Sequence, residues 1–260
     1  MFRKEDGEET GEARARLERG LRTLARRGGL PADMSIKLLD SHFADALMAL
    51  MALVLERNEV VNLTAVTEPV EFAELQLLDS LAPAGLPALS RARAVVDVGA
   101  GAGFPGLPLA LLCPEKEFLL IDSLGKRVDF MAQAAEALSM GNVRTLHARA
   151  EAAGHDARLR EGFDLALCRA VAQLPVVLEY CLPLVRTGGN LLAYKTVRAG
   201  GEIEGSLVAR EMLGAARDVE IFAYPDLLPG RAHALYIVRK EGGTPVKYPR
   251  REGVPSKVPL

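Results

Sequence analysis

The sequence contains no tryptophan, few other aromatic residues and only three cysteines. Aromatic residues make up 5% of the 260 positions, so an aromatic cage around a ligand would have few members. Cys113, Cys168 and Cys181 are odd in number and include no close pair, which argues against a disulfide framework and indicates a reducing compartment. We therefore expect a cytoplasmic protein.

Long hydrophobic runs are also missing. The first thirty residues are charged and contain no apolar core segment, so we expect no secretory signal there. The longest apolar run, ALMALMALVL over 46–55, is shorter than the roughly 20 residues that cross a bilayer, and it predicts a buried helix instead. With 49% apolar and 25% charged residues, the composition is typical of a soluble globular protein that does not associate with a membrane.

Histidine is scarce as well, and its four residues form no cluster. We therefore expect no metal site. The net charge of −2 neither favours nor excludes a nucleic acid partner, because the distribution of charge matters more than its sum. The histidines are His42, His147, His155 and His233.

Helical patterns dominate the first ninety residues. Residues 1–30 mix both charge signs with glycines and predict a frayed or loosely held helix. Over 35–57 the apolar residues recur at spacings of three and four, which predicts an amphipathic helix. We expect a connector over 58–68, a helix over 69–81, and a linker in the proline-rich segment 82–90. The apolar positions of the amphipathic helix are Ile36, Leu39, Phe43, Leu47, Leu50, Met51 and Val54.

The rest of the chain alternates between strand-like and helical patterns. Five apolar runs (AVVDV, EFLLID, VRTLHA, DLALCR and NLLAYK) are each followed by a helical pattern, which indicates β-α-β units and a parallel sheet. Two further strand patterns, DVEIFAYP and HALYIVRK, follow each other without a helix and predict an antiparallel pair at one edge. This order is typical of an α/β fold with a Rossmann-like, mostly parallel methyltransferase sheet. We expect an N-terminal helical extension over 1–90, a methyltransferase domain over 91–240 and a basic, proline-rich, extended tail over 241–260.

The stretch VVDVGAGAGFPG, residues 95–106, places four glycines directly after the first strand. Without Cβ atoms, backbone N–H groups can approach a ligand closely, and the following helix adds its positive end. Asp97 would offer a carboxylate to a cationic or hydroxyl-bearing ligand. The stretch also contains the dinucleotide fingerprint Gly101-x-Gly103-x-x-Gly106, with Asp122 about 20 residues further on.

Three features favour S-adenosylmethionine over a nicotinamide cofactor. Gly99, not Gly101, follows the strand directly. Pro105 lies inside the proposed glycine triplet, where it suits a helix start better. The sheet also ends in an antiparallel pair. A nicotinamide-dependent dehydrogenase and a purely structural turn stay open as alternatives.

Polar residues follow the other predicted strands. Asp122 can accept both ribose hydroxyls of an adenosyl group or cap the next helix. Glu151, with Ala150, can meet the adenine edge or serve as a first-turn acid. Arg169 and Lys195 end the fourth and fifth strands, where doubly wound sheets bind ligands. We expect them to hold a phosphate or an oxygen of the acceptor; surface cations are the alternative.

Longer motifs resemble the RsmG (GidB) family, methyltransferases that modify N7 of a guanosine in small-subunit ribosomal RNA. The similarity extends from about Ala44 to the last residue. Its motifs are Asn62-Leu63-Thr64, Leu78-Asp79-Ser80-Leu81, DVGAGAGFPGLPLA, DSLGKRVDF over 122–130, Arg149-Ala150-Glu151, CRAVA over 168–172 and YPRREGVPSKVPL over 248–260.

The resemblance implies transfer of a methyl group from S-adenosyl-L-methionine to N7 of a guanosine in 16S ribosomal RNA. Arg169 and Lys195 are candidates for a catalytic role, and no catalytic residue is assigned. Arg57, Gln76 and Lys195-Thr196 depart from the family pattern on the substrate side. The cofactor-binding residues that the resemblance implies are Gly99, Phe104, Asp122, Ser123, Leu124, Ala150, Glu151 and Arg169.

The residues themselves fit an acceptor that needs no deprotonation. Guanine N7 carries a free lone pair at neutral pH, and the sequence offers no obvious base–nucleophile pair. A methyltransferase of the same fold that acts on a small molecule or a protein is the main alternative. A non-catalytic RNA-binding module is another.

Basic residues near the C-terminus predict RNA contacts. Between 239 and 257 six basic residues oppose two acidic ones, and such arms follow phosphates. Tyr248 can stack on a base, and the segment 14–27 adds further cations. The alternative is a solvated tail. We expect a monomer that binds 16S ribosomal RNA or a small-subunit particle. The six basic residues are Arg239, Lys240, Lys247, Arg250, Arg251 and Lys257.

Overall fold

One mixed sheet organises the chain. The computed structural model describes residues 4–197 and 200–260. The strands in this part are β1 Ala94–Val98, β2 Glu117–Asp122, β3 Val143–His147, β4 Phe163–Arg169, β5 Val185–Thr196, β6 Glu220–Ala223 and β7 His233–Arg239. Their order across the sheet is β3-β2-β1-β4-β5-β7-β6.

The first five strands run parallel, as the alternating pattern predicts. β1 pairs with β2 and β4, β2 with β3, and β4 with β5, all in parallel. β7 lies antiparallel to both β5 and β6, so the predicted final antiparallel pair is confirmed. Because parallel strands end at the same edge, the residues that follow β1, β2, β3 and β4 lie along that edge.

The helices cover both faces of the sheet. In the described residues they are α1 Lys4–Ala25, α2 Ala32–Leu38, α3 Ser41–Val61, α4 Pro69–Phe72, α5 Pro87–Ser90, α6 Gly106–Leu112, α7 Gly125–Ala137, α8 Ala150–His155, α9 Leu174–Cys181, α10 Gly200–Gly205, α11 Leu207–Leu213 and α12 Val254–Lys257. A π-helical turn, Ala73–Leu78, continues α4, so the helix predicted over 69–81 is interrupted by a wider turn.

The helix predicted over 35–57 is wrong at its start, because two helices share the segment. The Asp40 carboxylate accepts a hydrogen bond from the His42 N–H at 2.9 Å and begins α3 as its N-cap. Ile36 and Leu39 precede this break and are 71% and 60% exposed. The predicted positions from Phe43 onward are buried.

The predicted connector over 58–68 begins later than expected. α3 continues to Val61 and ends at Asn62, which takes a left-handed conformation with φ of 52°. The Asn58 side chain then accepts hydrogen bonds from the N–H groups of Leu63 and Thr64. These bonds satisfy backbone donors at the helix end and fix the direction of the following chain.

The N-terminal helix is not loosely held over the residues whose side chains are described. Leu17, Leu21 and Leu24 of α1 are buried against α4 and the π-helical turn. Gly20 lies so close to Leu78 that an added Cβ would stand 2.4 Å from its methyl groups. Arg16 of α1 also pairs with Glu74 of the π-helical turn at 2.6 Å. Residues 1–3 of the predicted frayed segment lie outside the described residues.

The proline-rich segment 82–90 is a packed turn and not a flexible linker. Ala82 and Leu89 are fully buried, and α5 forms within the segment. One hydrophobic cluster contains residues from α1 and α3 together with Val95 of β1, so the core is continuous across position 90. The domain limits at 90 and 240 stay a prediction.

The C-terminal tail is not extended either. Residues 241–260 fold back onto α8 and α9, and Tyr248 is only 4% exposed. The Arg160 guanidinium donates hydrogen bonds to the carbonyls of Gly154, Thr244, Pro245 and Tyr248 at 2.7–3.2 Å. Four of the twenty residues in this segment are prolines without an N–H, and a side chain from the main body supplies donors to its carbonyls.

Among the described residues, no single helix is long and apolar enough to span a bilayer. Taken together, α2 and α3 reach the required length and apolar composition, but the pair is bent by 60° at its break. The apolar face of α3, with Leu47, Leu50 and Val54, is buried in the core.

The packing of α1 is testable by truncating one of its buried leucines. Replacing a buried leucine by alanine removes apolar contacts and leaves a cavity, so Leu17→Ala should lower the free energy of unfolding by about 2–5 kcal/mol. Leu39→Ala, at a 60% exposed position, is the matched control and should change it little. Urea denaturation measures both. Equal small losses would mean that α1 does not pack as described.

Candidate functional site

The glycine turn after β1 brings backbone to the shared edge of the parallel strands. Gly99 and Gly101 have φ values of 73° and 61°, which residues with a Cβ rarely adopt. The N–H groups of Gly99 and Ala100 donate to the Ile121 carbonyl at 2.9 and 3.0 Å, which fastens the turn to β2. A Cβ at Gly99 would stand 2.6 Å from Val171, whereas one at Gly101 would enter open space.

Asp97 is buried beneath the glycine turn, whereas its place before the glycines predicts a carboxylate that is accessible to a ligand. Its side chain is fully buried, and its Oδ2 accepts a hydrogen bond from the Gly106 N–H at 2.8 Å. Its Oδ1 is buried without a hydrogen-bond partner among the described residues. Burial raises the pKa of Asp97 from 3.8 to about 7. The residue therefore braces the start of α6 from beneath the turn.

Asp122 links the glycine turn to the helix that follows β2. Its Oδ2 accepts from the Gly101 N–H and its Oδ1 from the Leu124 N–H, both at 2.9 Å. The Arg127 guanidinium lies 3.7 Å from Asp122 Oδ2, and the Asp122 side chain is 5% exposed. The predicted capping role is wrong, because the N-cap of α7 is Leu124 and no side chain caps the helix. A carboxylate has about four lone-pair positions, so these two bonds leave acceptor capacity on both oxygens.

A cleft of about 340 Å³ opens beside this turn at the carboxyl ends of β1 to β4. Five of the eight predicted cofactor residues line it, namely Gly99, Asp122, Ser123, Ala150 and Glu151. The remaining lining residues are Val98, Ile121, Arg127, Ala148, Arg149, Ala170, Val171, Ala172, Tyr180 and Ser256. The last two come from α9 and from the C-terminal segment, and no local signal in the sequence indicated that either would reach this edge.

The other three predicted residues lie outside the lining of this cleft. Leu124 is 52% exposed at the start of α7. Phe104 is buried behind the glycine turn and contacts Phe72 edge to face, with 5.6 Å between the ring centroids. The Arg169 guanidinium lies over the Phe104 ring, 5.6 Å from its centroid.

Arg169 belongs to a buried polar network. Its guanidinium donates to the Leu75 carbonyl at 2.7 Å, to the Gln76 side-chain oxygen and to Asp79 Oδ2 at 3.2 Å. Leu75 and Gln76 are in the π-helical turn, whose wider winding is common at functional positions. Arg169 therefore ties the end of β4 to the N-terminal helices.

Asp79 is the centre of that network, and the sequence indicated it only as part of the motif Leu78-Asp79-Ser80-Leu81, with no role at the site. Its Oδ1 accepts from the Tyr224 hydroxyl at 2.8 Å and lies 2.9 Å from His233 Nδ1. Burial alone would raise its pKa, but the hydrogen bond from His233 and the charge of Arg169 hold it below the ordinary value. An acid inside an apolar helical run, LQLLDSLAP, was the available signal.

Lys195 is a brace and not a surface cation. Its ammonium donates to the Ala172 carbonyl and to Glu202, both at 2.7 Å, and its side chain is 12% exposed. Glu202 also accepts from the Leu174 N–H. These bonds hold the loop after β4, which lines the cleft, against α9 and α10.

The predicted RNA arm is only partly free. Lys240 is fully buried and paired with Glu161, and Arg250 is paired with the buried Glu179. Tyr248 is buried and cannot stack on a base in this conformation. Over 14–27, Arg14, Arg16, Arg22 and Arg27 form ion pairs with acidic residues. Lys247, Arg251 and Lys257 are exposed.

Among the described residues there is no group of three or more His, Cys, Asp or Glu side chains placed to hold a metal ion. The three cysteines are all buried and free.

The buried acid Asp97 should make stability depend on pH. Because its folded pKa, about 7, exceeds the unfolded value of 3.8, the folded state binds the proton more tightly. This contribution is complete at low pH and is lost as the pH rises through the folded pKa. Relative to Asp97→Asn, the wild-type free energy of unfolding should fall by up to about 4 kcal/mol from about pH 4 to about pH 8.

Urea denaturation of both proteins at each pH measures this difference, and the other titrating groups cancel in it. Asn retains an acceptor for the Gly106 N–H, so the variant should fold. A difference that does not change with pH would contradict the raised pKa.

Comparison with known proteins identifies the family. The family model for rRNA small subunit methyltransferase G matches residues 44–219. The ribosomal RNA small subunit methyltransferase G of Desulfitobacterium hafniense (strain Y51) is 45% identical over 206 residues, which cover 79% of this chain and 84% of that protein. The protein of the same name from Alkaliphilus metalliredigens (strain QYMF) is 39% identical over 225 residues, 85% of this chain and 92% of that one.

Among solved structures, cofactor-bound Rv0187 from MTB shares the fold. Its TM-score is 0.52 at 19% identity, and the match covers 76% of this chain and 91% of that one. The predicted Rossmann-like fold class is confirmed, and so is the resemblance noted from the motifs. The family match also argues against the dehydrogenase alternative. The chain belongs to the rRNA small subunit methyltransferase G family.

Proposed function

We propose that this protein transfers a methyl group from S-adenosyl-L-methionine to N7 of a guanosine in 16S ribosomal RNA. The family match over 44–219 carries the proposal, since it includes the glycine turn, Asp122, Glu151 and Arg169. The choice of N7 follows the family that the motifs resemble. A ribosomal RNA substrate would place the reaction in the cytoplasm.

The cleft fits the adenosyl part of this cofactor. Its volume of about 340 Å³ falls within the range of small-molecule sites, roughly 300–1,000 Å³. Asp122 keeps free acceptor positions on a buried carboxylate, as a diol ligand requires, and Val98, Ile121 and Ala148 offer apolar surface for a purine ring. S-adenosylmethionine supplies a sulfonium-bound methyl group that is already activated for transfer.

Each predicted cofactor residue then has a role. Asp122 accepts the ribose hydroxyls while it holds Gly101. Ser123 and Leu124 continue the chain around the ribose side, and Ala150 and Glu151 face the adenine side. Gly99 leaves the centre of the cleft free of a side chain. Phe104 and Arg169 support the turn from behind rather than contact the cofactor.

The acceptor needs no general base. The residues around the cleft therefore serve to orient the two reactants and to exclude water. Guanine N7 presents its lone pair at neutral pH, so the enzyme has to align donor and acceptor in a dry site. Lys195 contributes by holding the loop that carries Ala172 at the cleft, and Arg169 by holding β4 against the π-helical turn. Both are positioning residues in this proposal, and no catalytic residue is assigned.

RNA phosphates would contact the exposed cations of the C-terminal segment. Lys247, Arg251 and Lys257 are exposed there, and Arg251 and Lys257 flank the lining residue Ser256. Neutralising phosphates makes affinity fall with salt. We propose a monomer that acts on RNA or on a small-subunit particle at this face.

The proposed reaction predicts where labelled methyl groups will appear. The purified protein should transfer label from S-adenosylmethionine to 16S ribosomal RNA taken from cells that lack the activity, and digestion should yield N7-methylguanosine. Transfer should weaken as salt increases. Label on a protein or a small molecule, with none on the RNA, would overturn the proposal and favour a methyltransferase with another substrate.

The role of Asp122 is tested by cofactor binding. Asp122→Ala should weaken the affinity for S-adenosylhomocysteine by about 10-fold or more, because a hydrogen bond to a charged group contributes about 1.5–3 kcal/mol. Isothermal titration calorimetry measures the affinity. Asp129→Ala, on the exposed side of α7, is the matched control and should bind normally.

The Asp122 carboxylate also holds two backbone amides, so the melting temperature is measured alongside. If Asp122→Ala does not fold, Asp122→Asn keeps one acceptor and serves in its place. Unchanged affinity in a folded variant would mean that this carboxylate does not bind the cofactor.

A further inference from the structure

The C-terminal segment returns to the edge of the sheet where the cleft opens. Pro249 packs against Gly154 of α8 so closely that a Cβ there would stand 2.7 Å from the proline ring. His155 Nε2 lies 2.6 Å from the Pro249 carbonyl oxygen. These contacts place residues after 249 beside α8, whose first turn carries Ala150 and Glu151.

A buried ion pair fixes the segment in that place. Glu179 of α9 is fully buried, and its carboxylate accepts from the backbone N–H of Arg250 at 2.7 Å. The Arg250 guanidinium donates to both carboxylate oxygens, at 2.6–3.1 Å. Breaking the pair would leave an uncompensated charge on the buried Glu179, which is strongly unfavourable. The segment is therefore firmly docked.

The next residues reach the cleft itself. Gly253 has a φ of 73° and donates its N–H to Glu151 Oε1 at 2.9 Å, so the segment fixes the orientation of a carboxylate that lines the cleft. α12 begins directly afterwards and packs against α9. Its Ser256 lines the cleft together with Tyr180. On the outside, Arg149 pairs with Glu252 at 2.9 Å.

We propose that residues 249–257 form a wall of the cofactor cleft and that Ser256 contacts the cofactor bound there. The proposal rests on the proposed function, because it takes S-adenosylmethionine as the occupant of the cleft. It extends the site beyond residue 219, where the family match ends. None of the cofactor residues that the resemblance implies lies in this segment.

The position of the wall indicates which part of the cofactor it meets. Glu151 and Ala150 follow β3, whereas Asp122 ends β2, so the two carboxylates mark different ends of the cleft. The Gly253 amide binds the first of these, and Ser256 lies in the helix that starts one residue later. With Asp122 at the ribose, the wall covers the adenine end of the cofactor.

Alkylation of an engineered thiol tests this contact. Ser256 is exposed, so Ser256→Cys in the full chain should react readily with N-ethylmaleimide. Saturating S-adenosylhomocysteine should slow that reaction by about 10-fold or more, because the ligand covers the thiol. Val258→Cys is the matched control, since position 258 is 62% exposed but outside the cleft lining, and its rate should not change.

The native cysteines should give little background in this experiment. All three are buried, and burial raises the pKa of Cys113 to about 12 and that of Cys181 above its ordinary value. The thiolate is the reactive form, so a raised pKa slows alkylation. The wild-type chain, treated in parallel, gives the residual alkylation rate of the native cysteines.

A bulky side chain at the same place gives a second measurement. Ser256→Trp should weaken the binding of S-adenosylhomocysteine by about 10-fold or more in calorimetry, whereas Val258→Trp should bind as the wild type does. Both variants should keep the wild-type melting temperature, because both positions are exposed.

The outcomes separate this inference from the proposed function. If the wild-type chain does not bind S-adenosylhomocysteine, the proposed function fails. If the wild type binds but the introduced thiol of Ser256→Cys is alkylated equally fast with and without ligand, the wall is wrong and the function stands. Loss of binding in Ser256→Cys itself, with Val258→Cys intact, would support the contact.

Discussion

The hydrogen bond from the Gly101 N–H to the Asp122 carboxylate holds the functional edge of the sheet together. It joins the turn after β1 to the end of β2, and the same carboxylate holds the Leu124 N–H at the start of α7. Bonds to a charged acceptor contribute about 1.5–3 kcal/mol each, more than neutral ones. Because the glycine turn also donates to the Ile121 carbonyl, β1 cannot shift along β2 without breaking several bonds at once. The floor of the cleft is therefore held in place by hydrogen bonds within the protein itself.

Side chains alternate between the two faces of a strand, and this alternation explains why residues at one edge of the sheet belong either to the Arg169–Asp79 network or to the cleft. Successive side chains of a strand point to opposite faces. In β4, Leu165 and Leu167 belong to the cluster beneath the N-terminal helices, so Arg169 points to that face as well, towards Asp79. Val98 and Ile121 belong to the cluster on the other face, and both line the cleft. The polar network and the cleft thus lie back to back, and the glycine turn separates them.

Local patterns in the sequence predicted the sheet well because apolar runs and their spacing record burial directly. Asp122 ends β2 and Glu151 lies in the helix after β3, so both line the cleft at this edge, and their cofactor roles stay a prediction. The errors arise where a partner is distant in sequence. Counting charges suggested a free basic tail, yet Arg250 is held by Glu179, 71 positions away, and neither residue reveals the other. Two local patterns do indicate features that the predictions missed. The leucine spacing in α1 indicates a buried helix face, and Asp40 indicates the cap at which α3 begins.

The docked C-terminal segment completes the cleft but takes no part in the sheet. The strands, the glycine turn and Asp122 all precede residues 249–257, and the strands pair without them, whereas the opening beside Ser256 has one of its sides only when that segment is docked. The bonds between Arg250 and Glu179 hold the segment that supplies this side of the cleft. Without residues 249–257 the opening would lack this side, and the buried carboxylate of Glu179 would be left without its partner.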